Sequence, residues 1–178
     1  IDFASMYPTI MATHNISPET VLCRCCQNQK VPEAGYTICE RREGIVPRTL
    51  KPILTRRAWL KRMAKQLNCG LGNAECGVSL TPPSPLAGEG KGEGINCEKK
   101  REIYDRKQTA LKWMLVTCFG YLGYRNARLG RIEAHEAVTA FGREKLLQAK
   151  EICEEEGVEL LHAITDSLWI RKKHLTEE

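Results

Sequence analysis

Two carboxylates stand out because each lies at the edge of an apolar stretch. Asp2 sits between Ile1 and Phe3 in IDFASMYPTI, and Asp166 follows LLHAIT, residues 160–165. A carboxylate at the end of a buried strand must be paired, hydrogen-bonded or bound to metal. Capping of a turn would account for either aspartate alone. Cations at helical spacing change the reading. Arg57, Lys61 and Lys65 follow i, i+4, i+8, while Gln108 and Lys112 share a face with Lys107 beside them. Any one of these lysines fits a solvated face. Two antiparallel helices with cationic stripes, joined to a hairpin carboxylate, suit a triphosphate held by cations while metal ions are held by carboxylates.

Cysteines form a second set. Cys23 and Cys26 have metal-knuckle spacing with Cys25 between them, and Cys39 follows at a zinc-ribbon distance. These residues admit a Zn²⁺ site on Cys23, Cys26 and Cys39, although only one C-x-x-C is present without a second pair. The fourth ligand stays open among Cys25, Cys69, Cys76 and Cys97. Cys118 and Cys153 fall within helical patterns and read as buried core thiols. His14 and His135 have no partner spacing, which favours structural roles.

The elements that must position these groups are legible as periods. Ile1–Ala4 reads as the tail of a buried strand, and Ser5 as the cap of a short helix through Tyr7, Ile10 and Met11. Residues 21–40 alternate short β-like pieces with turns. Leu50, Ile53, Leu54, Leu60, Met63 and Leu67 predict an amphipathic helix from about Arg48 to Leu67, with Pro52 moving its firm start towards Lys51. Between Thr81 and Gly94 stand three Pro and four Gly without apolar period, so residues 69–97 read as a flexible insertion. A second helix is predicted over roughly Glu98–Thr117, ending near Gly120, and Tyr121–Gly130 as a turn region. A third runs over about Ile132–Glu156 and closes at Gly157. VELLHAI and SLWIRK then predict a β-hairpin with Thr165 and Asp166 at the bend. The fold class expected is α+β, a small antiparallel sheet with helices and a two-helix antiparallel projection.

The bulk numbers allow one or two domains in 178 residues. A net charge of +5 permits a polyanionic partner without requiring one. No apolar run approaches the ~20 residues of a membrane span, so no membrane partner is expected. With no signal-peptide pattern, the nine cysteines are expected as reduced thiols or metal ligands, and the setting as cytoplasmic. The motif-like first residues and the lack of an initiator Met give the expectation of a fragment of a longer chain.

IDFASMYPTIMATHNISPET resembles motif A of family B DNA polymerases, whose core is D-F-x-S-L-Y-P-S-I. GIVPRTLKPILTRRAWLKRMAK resembles the first fingers helix of that family, and YDRKQTALKWMLVTCFGYLGYRNARLGRIEAHEAVTAFGRE its motif B and following palm helix. HAITDSLWI occupies the place of motif C. The four occur in the family's order outside residues 69–97. The resemblance implies a polymerase palm over 1–46 and 121–178, with fingers helices over 47–68 and 98–120 flanking the 69–97 insertion. It also implies two Mg²⁺ (or Mn²⁺) ions, dNTP as substrate, and primer–template DNA as partner in a prokaryotic, nucleoid-associated setting. Asp2 and Asp166 match the catalytic aspartates that bridge the metals, and the Phe3 backbone carbonyl a further ligand. Tyr7 matches the tyrosine that excludes a ribose 2′-hydroxyl. Ser5 and Met6 fall where backbone amides meet the triphosphate, and Arg57, Lys61 and Lys112 match the phosphate-binding cations. Phe119 falls where a ring stacks on the nascent base pair, while Arg128 and Arg131 fall near the primer or template backbone. Nothing in the chain resembles the family's thumb, exonuclease or N-terminal domain, so an incomplete domain set is expected.

Two motifs depart from the pattern. The first motif C aspartate is Ile164 and the preceding Tyr-Gly is His162-Ala163, while N-S-x-Y-G of motif B is Val116-Thr117-Cys118-Phe119-Gly120. These changes resemble a divergent prokaryotic branch. The leading expectation is template-directed DNA synthesis in replication or repair. The alternative is a degenerate relative that binds DNA or serves a structural role.

Overall fold

The computed structural model describes residues 1–26, 29–68 and 97–172. In chain order these form α1 (Met6–Thr13), β1 (Gln29–Lys30), β2 (Thr37–Ile38), α2 (Ile45–Asn68), α3 (Cys97–Gly123), α4 (Ile132–Glu155), β3 (Glu159–Ile164) and β4 (Ser167–Arg171). β1 pairs antiparallel with β2, placing Gln29 opposite Ile38. β3 pairs antiparallel with β4 from Glu159 opposite Arg171 to Ile164 opposite Ser167, with an irregularity between Leu160 and His162. The class is α+β, as expected. The 69–97 insertion lies outside the described residues except for Cys97, which opens α3.

The short helix α1 is the hub. Met11 is fully buried and packs in one core with Ile10, Leu50 of α2, Leu115 and Leu122 of α3, and Phe141 of α4. Ala134, Ala137, Val138 and Ala140 give α4 a face of short side chains. Such a face lets α1 approach closely, and close packing makes volume loss costly; Leu50→Ala should cost about 2–5 kcal/mol. The apolar positions predicted for α2 behave accordingly, with Leu50, Leu60 and Met63 buried and Ile53, Leu54 and Leu67 partly so.

α2 begins earlier than Pro52 suggested. Its first donors are satisfied by side chains of the segment after α1: Gly44 N–H donates to Asn15 Oδ1 (2.8 Å), Ile45 N–H to Glu19 and Val46 N–H to Ser17 Oγ (3.3 Å). These caps anchor a start at Ile45, and Pro52 lies inside the helix. Gly44 is required there, since a Cβ would stand 2.4 Å from that of Ser17. α3 also runs past the predicted end, to Gly123, because Leu122 enters the core. Ile45 and Leu50 of α2 line one cleft with Tyr121 and Leu122 of α3, whereas Trp59 meets Tyr104 further along. The pair is therefore antiparallel.

The opening segment departs from expectation. It lies along β4 through Leu168 N–H to the Ile1 carbonyl and Phe3 N–H to the Asp166 carbonyl, both 2.8 Å, with a single bridge of Asp2 to Ser167. Ile1 is 63% exposed. It is an exposed edge bridge, and the apolar neighbours that suggested burial pack elsewhere or not at all. Ser5 also differs: it precedes α1, but at φ 54° it is left-handed and its hydroxyl caps nothing.

Candidate functional site

The β3–β4 turn is the two-residue link Thr165–Asp166, with Thr165 at φ 44°. Beside it, the opening segment pairs with Ser167 and hydrogen-bonds to the Asp166 backbone, which brings Asp2 next to Asp166 although they are far apart in the chain. Asp2 and Asp166 both line one cleft of about 530 Å³. Ser5, Met6 and Tyr7 of the α1 entry, Arg57 and Lys61 of α2, and Lys112, Val116 and Phe119 of α3 line it too. The two aspartates, Phe3 and all three expected cations thus line one cleft. Lys65, the outer member of the α2 stripe, is exposed and is not among the lining residues.

Arg57 Nη1 donates to Ser5 Oγ, which fixes the guanidinium against the α1 entry. Arg57 Nε, like Arg56 Nη1 and Trp59 Nε1 nearby, is a buried donor without a hydrogen-bond partner among the described residues. A buried unsatisfied donor on a cation is costly unless a ligand accepts from it. The sequence does not signal the Ser5–Arg57 contact, because a hydroxyl at a helix start ordinarily reads as a cap.

Three rings form a column beside the carboxylates. Phe119 stacks on Tyr7 (4.3 Å between centroids, 25° between planes) and on His135 (4.3 Å, 19°). Two parallel rings at that distance must occupy opposite faces, so Phe119 turns only its edge to the cleft. His135 also does more than fill space, since it backs the column. Two glycines make room: a Cβ on Gly142 would lie 3.1 Å from Tyr7 Cε1, and one on Gly123 2.8 Å from His135 Cδ2. A glycine in mid-helix costs about 1 kcal/mol relative to Ala, and that penalty was the available signal at Gly142. Burial, and then the Asp166 carboxylate, push the Tyr7 hydroxyl above its usual range against an opposing pull from Arg143.

The departing positions are visible. Ile164 ends β3 with 47% of its surface exposed, and Val116 is an exposed apolar wall of the cleft. Arg131 donates from Nη1 to the Pro18 carbonyl (2.6 Å) and pairs with Glu133, so it is committed within the chain, while Arg128 is exposed. His14 stacks on Phe141 (3.9 Å), in keeping with a structural role. Cys153 is buried as expected, but Cys118 is only partly so and lines a second cleft. That cleft, about 370 Å³ between the α2 start and the α3 end, is lined by no charged side chain.

The other chemistry-bearing cluster is cysteine. The sulfurs of Cys23, Cys25, Cys26 and Cys39 lie within 4.8 Å of one another. Among the described residues, Cys25 therefore joins the expected three, and Cys97 at the α3 start does not. Cys69 and Cys76 lie outside the described residues. The Cys39 thiol is brought down to about 6: burial opposes this, but hydrogen bonds from the Arg42 and Arg41 backbone and from neighbouring thiols outweigh it. Hydrogen bonding to Cys39 and Cys23 pushes the Cys25 thiol up to about 12.

A sequence model of DNA polymerase family B matches residues 1–71 and 93–174. The DNA polymerase 2 of Saccharolobus solfataricus is 34% identical over 171 residues, covering 96% of this chain and 20% of the relative. A DNA polymerase of Archaeoglobus fulgidus is 32% identical over 180 residues, 100% of this chain and 19% of the relative. Among solved structures, the family B DNA polymerase of Pyrobaculum calidifontis superposes with a TM-score of 0.66 at 32% identity, over 97% of this chain and 20% of that one. The chain spans about a fifth of the length of the curated relatives it matches.

Proposed function

Because the chain belongs to DNA polymerase family B, we propose that its cleft takes a deoxynucleoside triphosphate and serves template-directed DNA synthesis. The reaction is nucleotidyl transfer to a primer 3′-hydroxyl. The observation that carries this reading is the meeting of Asp2 and Asp166 with Arg57, Lys61 and Lys112 in one cleft. In this reading the β3–β4 hairpin, α1 and α4 are palm, and α2 and α3 are fingers.

The donor set fits Mg²⁺ or Mn²⁺: two carboxylates and the Phe3 carbonyl are hard oxygen ligands, and no thiol or imidazole stands among the lining residues. Two such ions supply Lewis-acid charge to the attacking hydroxyl and the leaving pyrophosphate. Asp2 and Asp166 hold that charge at the sheet edge. The unpartnered Arg57 Nε supports a β- or γ-phosphate as its acceptor, with Lys61 and Lys112 adding positive charge. Ser5 positions Arg57, and the Ser5 and Met6 amides at the head of α1 are assigned to the phosphates. Tyr7, held from behind by Phe119, packs beneath the sugar and excludes a 2′-hydroxyl. Primer–template DNA is the macromolecular partner, and the thumb, exonuclease and N-terminal domains of the family complete the polymerase.

A second reading has one observation in its favour. Ile164 exposes an apolar side chain where the motif C resemblance expects a carboxylate. A retired active site that still binds DNA follows from that. Primer extension by the intact gene product, with Mg²⁺ or Mn²⁺, separates the two. Extension abolished by Asp166→Ala and opened to ribonucleotides by Tyr7→Ala supports synthesis; binding of primer–template with no nucleotide added by wild type supports the degenerate relative.

A further inference from the structure

We propose that Cys23, Cys25, Cys26 and Cys39 bind one Zn²⁺ ion, a structural site separate from the cleft that ties the base of α2 to the end of α1.

The geometry is that of a tetrahedral thiolate site. Tetrahedral zinc with Zn–S near 2.3 Å requires sulfurs about 3.8 Å apart. The observed separations are 3.2 Å for Cys23–Cys26, 3.8 Å for Cys25–Cys26 and 3.5 Å for Cys25–Cys39, and no pair exceeds 4.8 Å. One central ion satisfies all four with sub-ångström shifts. A four-sulfur set without oxygen or imidazole selects a thiophilic ion over Mg²⁺. Beyond one another, the four sulfurs meet backbone groups that favour a thiolate or accept from a thiol: the Arg41 and Arg42 backbone at Cys39, the Glu40 backbone at Cys26, and the Cys26 carbonyl 3.4 Å from Cys23 Sγ.

The surroundings say what the ion would hold. Cys23, Cys25 and Cys26 belong to the loop after Val21, whereas Cys39 follows β2. Cys39 N–H donates to the Thr20 carbonyl (2.9 Å), and the Cys39 carbonyl accepts from Asn15 Nδ2 (2.7 Å). The same Asn15 side chain accepts from Gly44 N–H at the α2 entry. The site therefore closes a stretch between α1 and α2 whose regular structure, among the described residues, is two-residue strands. Binding to the folded form alone stabilises it through mass action.

The test uses the intact chain, purified under reducing conditions without chelator or affinity metal. Elemental analysis should find about one zinc per chain, and zinc X-ray absorption four sulfurs near 2.3 Å. Replacement by Co²⁺ should produce thiolate-to-cobalt charge-transfer bands of a tetrahedral site. Cys39→Ser should abolish stoichiometric zinc, while Cys153→Ser retains it. Should Cys39→Ser not fold, the cobalt spectrum of the wild type decides alone. Less than a tenth of an equivalent of zinc together with no cobalt bands overturns the site, as does stoichiometric iron in its place. Two disulfides among the four cysteines in the reduced preparation, by intact mass, also overturn it.

Discussion

The cleft and the cysteine cluster assemble their groups in opposite ways. The cleft draws Asp2, Arg57, Lys112 and Asp166 from four separate elements. The cluster draws three of its four thiols from residues 23–26 and the fourth from Cys39. Hard oxygens and cations meet in the first, soft sulfurs in the second. A site made from distant elements depends on the packing that brings them together, so α1 and its core partners are part of it. A local site can instead create order where packing is thin.

Removing an aspartate should have the largest effect. Asp2→Ala is expected to lower primer extension by more than about a hundredfold, the scale of losing one preorganised electrostatic group, while leaving the thermal midpoint within a few degrees. A midpoint that collapsed would mean the aspartate supports the fold, erasing the contrast with the cluster. Arg57→Ala should raise the KM for dNTP by roughly 10- to 100-fold, since a hydrogen bond to a charged group contributes about 1.5–3 kcal/mol. Steady-state kinetics with zinc content measured in parallel should show the metal unchanged. Conversely, Cys39→Ser should lower the midpoint by at least about 5 °C with only a small change in nucleotide affinity.

Smaller effects test the supports. Gly142→Ala places a Cβ 3.1 Å from the Tyr7 ring and should erode dNTP-over-rNTP selectivity less than Tyr7→Ala does, as read from the ratio of kcat/KM values. The smallest expected effect is a pH slope. Partial burial pushes the Glu19 carboxyl up, but Ser17, the Ile45 amide and Arg42 hold it below its usual value. A depressed folded value means that its contribution is complete above the unfolded value near 4.5 and is lost as pH falls through the folded one. Glu19→Gln should therefore flatten acid unfolding in that window, and an unchanged slope would show that the α2 cap does not depend on charge.

The long elements were legible because period and length agree. α2, α4 and the hairpin with Asp166 at its turn lie close to where spacing puts them, and the four motifs in order name residues that line one cleft. What was not legible depends on partners remote in sequence. Ile1–Ala4 looked like a buried strand because three of its four side chains are apolar, yet its partner is β4, more than 160 residues on, and the pairing is a single exposed bridge. The start of α2 at Ile45 rests on caps from Asn15, Ser17 and Glu19. Phe119 was read by its motif position, whereas its two faces are spoken for by Tyr7 and His135. The cysteine cluster sits between these cases: spacing named three ligands, and only the fold of the loop chose Cys25 as the fourth.

On the proposed function, the hard divalent ions of nucleotidyl transfer go to the cleft and not to the thiol cluster. The most direct measurement is anomalous X-ray scattering from crystals grown with dNTP and Mn²⁺. Manganese is expected between the Asp2 and Asp166 carboxylates, which should lie within about 6 Å of each other to share ions about 3.5–4 Å apart. The triphosphate should lie against Arg57, Lys61 and Lys112. An ordered nucleotide bound elsewhere, or carboxylates turned apart with manganese found only at other positions, would contradict it.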